Sequence, residues 1–164
     1  AAVWDPAALQ KMAEAGIGAT VTMDLGGKTD MPSVGLAGEP LRVSGRDRRL
    51  SDGTFVVRGP MATGTTVHMG PTAVLDTGPM VIIIVSRHVE PWDAGLFTSL
   101  GIDPGDSRYI LLKSRIHWRA GFGTLARHTV TCDGAGVTSS DDGLFDFQHV
   151  RRPIFPLDDV HLPQ

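Results

Sequence analysis

The sequence predicts an α+β protein: a β-rich antiparallel meander lobe, then a small mixed α/β lobe with two buried strands and flanking helices. The 164 residues include 20 glycines and 11 prolines, which argues against a helical bundle. Short stretches of the first half alternate apolar and polar residues, as half-buried strands do. Met80 to Val85 is a continuous apolar run, typical of a strand covered on both faces. We expect a single domain over 1–164, with residues 1–79 forming the β-rich part and 80–164 the mixed part.

The first elements are a helix and a strand. Asp5 is suited to cap the helix, Pro6 fits its first position, and Gly16 is expected to end it. The stretch Ala19–Leu25 then alternates with period two and predicts a strand. The glycine- and proline-containing stretch from Thr29 to Pro40 is predicted to be a loop.

Four more short strands are predicted in the rest of the first half. Asp52-Gly53 is a strong hairpin signal, because both residues tolerate a positive φ. We therefore expect a hairpin around this turn and two further strands with Gly-Pro pairs at their ends. The four predicted strands are Leu41–Leu50, Thr54–Arg58, Thr65–Met69 and Thr72–Asp76.

The second half is predicted to follow the apolar run with a helix from Trp92 to Leu100, capped by Gly101. Tyr109–Leu112 is then a second candidate buried strand, far enough from Met80–Val85 for a parallel crossover. Ser114 is suited to cap a helix through about Ala126, and His128–Cys132 alternates like one more strand.

Charge, cysteine content and apolar runs exclude several classes of protein. The net charge is −3, whereas nucleic-acid and anionic-membrane binders carry a basic excess. The longest apolar run is far shorter than a membrane span. Cys132 is the single cysteine, so neither an internal disulfide nor a cysteine-based zinc site can form. This fits a reducing compartment, and we expect a cytoplasmic protein that binds neither nucleic acid nor membrane.

Metal-ligand and phosphate-binding motifs are weak in this sequence. The six histidines do not share the i, i+2 or i, i+4 spacing that places two imidazoles on one ion, so we predict no metal ligands in this chain. Gly121 to Ala126 matches G-x-G-x-x-A, but it does not follow a strand directly, so we interpret it as a chance match. The histidines are His68, His88, His117, His128, His149 and His161.

Two basic clusters remain as candidate binding sites. Arg42 to Arg49 contains four arginines, which could bind phosphates but more simply form a solvated hairpin edge. In the second cluster Lys113 closes a predicted strand, Ser114 opens a predicted helix and His117 follows one turn later. Amides, an ammonium and an imidazole at one helix N-terminus suit an anion such as a carboxylate. Arg87 would end the neighbouring parallel strand. The alternative is a capped helix whose basic residues face solvent.

The ordered series of motifs in this sequence resembles the C-terminal domain of the microcystinase C (MlrC) type metallopeptidases, a family of bacterial zinc hydrolases. The resemblance extends from about Val3 to Asp158. The motifs that carry it are Gly18-Ala19-Thr20-Val21, Leu25-Gly26-Gly27-Lys28, Gly70-Pro71-Thr72-Ala73-Val74, Ser86-Arg87, Leu100-Gly101-Ile102-Asp103-Pro104, Lys113-Ser114-Arg115-Ile116-His117-Trp118-Arg119-Ala120 and Arg152-Pro153-Ile154-Phe155-Pro156-Leu157-Asp158.

The resemblance implies part of an enzyme that hydrolyses amide bonds in small peptides, such as degraded microcystin, with the help of zinc. The zinc and its ligands belong, in that family, to an N-terminal catalytic domain that this chain lacks, so no catalytic or metal-binding residue is assigned here and the isolated chain is expected to be inactive. We expect this domain to complete the active-site cleft beside that N-terminal domain and to form a homo-oligomer. The candidate substrate-binding residues are Lys113, Ser114, His117, Arg119 and Arg87. The alternative is a non-catalytic scaffold, oligomerisation or ligand-binding module without direct substrate contact.

Overall fold

The computed structural model describes residues 2–132, 134 and 136–160. The chain divides into two compact units. The first comprises Ala1–Gly26 and Pro40–Thr129, and the second comprises Gly27–Glu39 and Val130–Gln164. The first unit contains all the strands and helices that position the candidate site.

A five-stranded mixed sheet forms the centre of the first unit, with the strand order β1-β7-β6-β3-β2. β1 and β7 are parallel and the other neighbours are antiparallel. A second, two-stranded sheet pairs β4 with β5. The strands are β1 (Ala2–Trp4), β2 (Thr20–Leu25), β3 (Leu41–Ser51), β4 (Thr54–Val56), β5 (Thr66–His68), β6 (Thr72–Asp76) and β7 (Val81–Val85). The α-helices are α1 (Pro6–Ala15), α2 (Gly95–Thr98) and α3 (Trp118–Phe122). The α+β class is confirmed.

The first helix and the second strand form as their sequences predict. The Asp5 carboxylate accepts a hydrogen bond from Ala8 N at 3.0 Å and caps α1. Gly16 ends the helix with a φ of 84°, a conformation that glycine adopts without steric cost. β2 shows the strict alternation of exposed and buried residues that its period predicts.

β7 is covered on both faces, as its continuous apolar sequence predicts. Ile82 and Ile84 contribute to a core formed with α1, β2, β3 and β6. Ile83 and Val85 point to the opposite face, where they join a second core formed with the β4–β5 sheet, α2 and α3. The central sheet is therefore a layer between two apolar clusters.

The Asp52-Gly53 hairpin prediction is wrong, because this turn leads the chain from one sheet into another. β3 pairs with β2 through residues 41–46 and with β6 through residues 46–51, and among the described residues it does not pair with β4. β4 pairs with β5 instead. Gly53 does take a positive φ of 71°. A Cβ at this position would lie 2.1 Å from the Gly70 carbonyl oxygen.

The second buried strand, predicted at Tyr109–Leu112, does not form. β7 pairs with β1 and β6, so both positions beside it are occupied and a parallel partner from later in the chain cannot enter. The segment is irregular, and its apolar side chains at Tyr109 and Leu111 are 73% and 68% exposed.

The predicted helices of the second half are shorter than expected. α2 occupies four residues instead of the span from Trp92 to Leu100, because the Asp93 carboxylate binds Gly95 N at 2.7 Å in a local turn that delays the helix start. α3 occupies five residues instead of Ser114 to Ala126, since glycines at 121 and 123 lower its helix propensity. The predicted strand His128–Cys132 is also absent, and Val130 is 83% exposed.

The second unit has little regular structure. Its first segment contains a 3₁₀ turn at Pro32–Val34 and a bridge between Met31 and Leu36. A further 3₁₀ turn occupies Asp142–Leu144. The carboxylate of Asp158 accepts hydrogen bonds from the Arg152 guanidinium and from Ile154 N. In the described part of the whole chain, no helix is both long and apolar enough to cross a membrane.

Candidate functional site

The candidate site is organised by the carboxylate of Glu90. Its Oε1 accepts a hydrogen bond from Ser114 Oγ at 2.5 Å, and its Oε2 lies 3.0 Å from His117 Nδ1. Glu90 follows β7 in the loop that leads to α2, whereas Ser114 and His117 immediately precede α3. One carboxylate thus joins two segments that are more than twenty residues apart in the chain.

The charge of Glu90 is stabilised by these two neighbours. Hydrogen bonds from Ser114 and His117 lower the pKa of the Glu90 carboxyl, and the charge of His117 lowers it further. Because an ionised carboxylate can only accept hydrogen bonds, Nδ1 of His117 carries the proton. Nε2 is then the ring nitrogen that remains for another partner. The His117 side chain is 45% exposed, so solvent or a ligand can reach the ring.

Ser114 holds the start of α3. Its Oγ accepts a hydrogen bond from Trp118 N at 3.0 Å while donating its own proton to Glu90. The single hydroxyl proton of Ser114 is therefore used inside the protein. The N-cap position of the helix is His117 and not Ser114, which moves the predicted start by three residues. A helix of five residues also provides a weaker dipole than the one predicted, so an anion would depend mainly on side chains here.

α3 is fixed against the core and against a neighbouring backbone segment. Phe122 is buried and packs edge-on against Phe97 at a centroid distance of 5.6 Å. At Gly121 the helix approaches so closely that a Cβ would lie 2.6 Å from the Trp92 carbonyl oxygen. Asp93, buried in the same segment, also accepts a hydrogen bond from Gly59 N at 2.7 Å. The helix that follows His117 is therefore tightly packed against Trp92 and Phe97.

Three cationic candidates lie near Glu90, Ser114 and His117 in the sequence. They are Arg87, Lys113 and Arg119. Arg119 lies over the Trp118 ring at 5.0 Å, an arrangement that orients the guanidinium and leaves its N–H groups free to bind an anion. Lys113 and Arg87 are exposed. Neither side chain has a hydrogen bond or ion pair within the described residues.

Of the five candidates, the structure joins Ser114 and His117 through Glu90. Arg87 was predicted to lie beside Lys113 because each would end one of two parallel strands. The second of those strands does not form. Glu90 itself was missed by the sequence reasoning. No motif marks it, because a single glutamate in Arg87-His88-Val89-Glu90-Pro91 is identified only by the partners that folding brings to it.

Two arginines of the other basic cluster form ion pairs within the fold. Arg42 binds Asp24 at 3.1 Å across the β2–β3 pair, and Arg48 binds Asp76 at 3.5 Å. Arg46 donates to the Gly18 carbonyl oxygen. These contacts support the solvated, charged sheet surface as the interpretation of this cluster.

The described part of the chain contains no group of three or more His, Cys, Asp or Glu side chains that could hold a metal ion. His161 lies outside the described residues. The residues present do not fit the zinc that the family resemblance implies, so no chemical step at zinc is derived for this chain.

The fold matches one part of a larger protein of known structure. A crystal structure from Mesorhizobium sp. BNC1, provisionally described as a metallopeptidase, superposes on 98% of the chain with a TM-score of 0.81 and 28% sequence identity. The match covers 31% of that protein.

The family is established by sequence. The family model described as the MlrC C-terminus matches residues 1–149, so the chain belongs to the MlrC C-terminal domain family. Microcystinase C of Sphingomonas sp. is 30% identical over 159 residues, which are 96% of this chain. The chain spans 29% of the length of that relative. The resemblance drawn from the sequence motifs is thereby confirmed.

Proposed function

We propose that this chain is the C-terminal domain of a metal-dependent amide hydrolase that acts on small peptides, and that it forms one wall of the substrate cleft. The observation that carries the proposal is the Glu90–His117 contact, which holds an exposed imidazole at the start of α3, the helix that also carries the exposed Arg119. Microcystinase C and the Mesorhizobium metallopeptidase support the hydrolase class. The proposed metal is zinc, held by the other part of the protein. The proposed substrate is a microcystin-type peptide, and the proposed location is the cytoplasm.

The proposed substrate group is a carboxylate of the peptide. Arg119, oriented by Trp118, supplies N–H groups that match a carboxylate in two-point geometry. Lys113 and Arg87 add positive charge, and His117 offers Nε2 to the substrate. Ser114 acts as a positioning residue, because its proton is already donated to Glu90.

The experiment compares two peptides that differ in one group. The full gene product, supplied with zinc, is assayed on a linear peptide that ends in a free carboxylate and on the same peptide ending in an amide. Arg119→Ala should raise KM about tenfold or more for the acid, because a charge-assisted hydrogen bond is lost. KM for the amide should change little. Lys113→Ala should shift KM in the same direction by a smaller factor.

A matched control is Arg42→Ala, which removes an exposed arginine from β3, a strand separated from β7 by β6. It should leave both KM values unchanged. If Arg119→Ala and Arg42→Ala behave alike on both peptides, the carboxylate-binding role is wrong.

A scaffold role is the second candidate function, and the exposed apolar side chains of Tyr109 and Leu111 favour it. In that case Lys113→Ala, Arg119→Ala and His117→Ala would all preserve the kinetic constants for both peptides. The same kinetic series therefore separates the two functions.

A further inference from the structure

The segment Arg108–Lys113 has the properties of a β-strand without a partner. Tyr109 and Leu111 are 73% and 68% exposed, whereas Ile110 and Leu112 are partly buried against the second core. Side chains therefore alternate between the core and solvent, as they do in a strand. Among the described residues, the backbone amides and carbonyls of 109–113 form no hydrogen bond.

Exposed apolar side chains together with unpaired backbone groups are unfavourable for a protein surface that remains in contact with water. Isolated exposed apolar residues are common on proteins. An extended segment with alternate exposed apolar side chains and unpaired backbone groups is instead a template for strand pairing. Both positions beside β7 are occupied by β1 and β6, and the segment is not paired with any strand of the described residues. A strand partner for it would therefore come from outside the described residues.

The relatives indicate what that partner is. The chain covers 29% of microcystinase C and 31% of the Mesorhizobium metallopeptidase, so about two thirds of each protein lies outside the matched part. Because the family model is described as the MlrC C-terminus, that remaining part is mainly N-terminal. It is large enough to offer a sheet edge or an apolar groove.

We propose that Arg108–Lys113 docks in extended form on this larger part of the same polypeptide. Tyr109 and Leu111 are the apolar anchors, and the free backbone groups of 109–113 pair with the partner's backbone. Arg108, Lys113 and Arg115 give the segment a basic border, so the contact surface of the partner should have an acidic border. This proposal rests on the proposed function in one respect: both require that the gene product contains the larger part found in the relatives.

The test is hydrogen exchange in the full gene product. We expect alternate amides within 109–113 to exchange at least about a hundredfold more slowly than an unstructured chain, because pairing protects them. Residues 130–132 are an internal reference, since they are exposed and belong to no strand or helix. Exchange of 109–113 at the rate of this reference would overturn the proposal.

A pair of variants tests the apolar anchors. Leu111→Ser should raise exchange of 109–113 about tenfold or more, because the buried contact is lost. Leu41→Ser is the matched control, since Leu41 is similarly exposed at 64% but lies on β3. Its exchange in 109–113 should match that of the unchanged protein. Equal effects of the two substitutions would contradict the docking role.

Two further results would overturn the proposal in distinguishable ways. Protection that disappears on dilution would assign the segment to a contact between two copies of the chain. A gene product without additional chain would remove the proposed occupant. Failure of the proposed function has a different signature: exchange protection stays, while Arg119→Ala leaves peptide hydrolysis unchanged.

Discussion

Oε2 of Glu90 lies 3.0 Å from Nδ1 of His117, across 27 positions of sequence. A carboxylate at Nδ1 fixes the orientation of the ring and leaves Nε2 as the ring nitrogen available to a ligand. We propose that Glu90 is a positioning residue that acts through His117.

A double-mutant cycle tests whether Glu90 acts through His117. In the full gene product, Glu90→Gln should lower kcat/KM for the acid peptide about tenfold, because the imidazole loses its orienting charge. His117→Ala should cost at least as much. The double variant should then match His117→Ala alone, since the two residues form one unit.

Glu14→Gln is the control for this cycle, because Gln10 on the surface of α1 is the one partner of the Glu14 side chain among the described residues. It should leave kcat/KM unchanged. Additive losses in the double variant would show that Glu90 does not act through His117.

The pH dependence of stability provides a second test of the Glu90 cluster. The folded protein lowers the pKa of Glu90 below its ordinary value of 4.5, so the stabilisation is present above pH 4.5 and is lost as the pH falls through the folded pKa. The side chain is 35% exposed, which limits the effect to about 1 kcal/mol or less. Urea unfolding of the unchanged chain and of Glu90→Gln should therefore differ at pH 7, and the difference should shrink as the pH falls below 4.5. A difference that stays constant down to pH 3 would contradict the assignment.

The elements that the sequence predicted correctly are those set by local patterns. α1 has a capping aspartate before it and a glycine after it, and β2 alternates strictly. β7 was recognised as a doubly covered strand because every residue in it is apolar. Each of these signals is contained within a few neighbouring residues.

The errors arose where a distant part of the chain decided the outcome. Tyr109–Leu112 has the composition of a strand, but β1 occupies the position beside β7 that this segment would need. In the candidate site, Lys113, Ser114 and His117 were identified from their basic and capping character. Glu90 was not, because its role exists only after the chain brings it to Ser114 and His117.

Gly121 tests the packing of α3. Ala at this position would improve helix propensity by about 1 kcal/mol in an isolated helix. In the protein its Cβ would lie 2.8 Å from Asp93 Cα and 2.9 Å from Ala94 N, backbone atoms that cannot move aside easily. We therefore expect Gly121→Ala to lower the free energy of unfolding by about 1 to 3 kcal/mol, measured by urea unfolding.

Gly134→Ala is the matched control, because a Cβ there meets no atom within 4 Å. It should change the free energy of unfolding by less than about 0.5 kcal/mol. A stabilised Gly121→Ala variant would show that α3 is not held against residues 92–94.

Asp47 is a buried acid on the core side of β3. It lies at the irregularity in the pairing of β3 with β6, between Asp47 and Arg49, and its side chain is fully buried. Oδ1 accepts a hydrogen bond from Arg49 N at 3.0 Å, whereas Oδ2 has no partner among the described residues. Burial raises the pKa of Asp47, because the charged form loses its hydration.

Asp47→Asn should stabilise the chain at neutral pH. A raised pKa means that the neutral acid favours the folded state, and this contribution is lost as the pH rises above the ordinary aspartate pKa of 3.8 through the folded pKa. Asparagine stays neutral and keeps an oxygen for Arg49 N, so the variant should gain about 1 to 2 kcal/mol at pH 7. Asp76→Asn, which alters the exposed pair with Arg48, should cost less than about 1 kcal/mol.

In urea unfolding from pH 3.5 to 8, the advantage of Asp47→Asn should grow with pH and then level off, because deprotonation of Asp47 in the folded state is then complete. An advantage that does not vary with pH would show that the stabilisation has another origin.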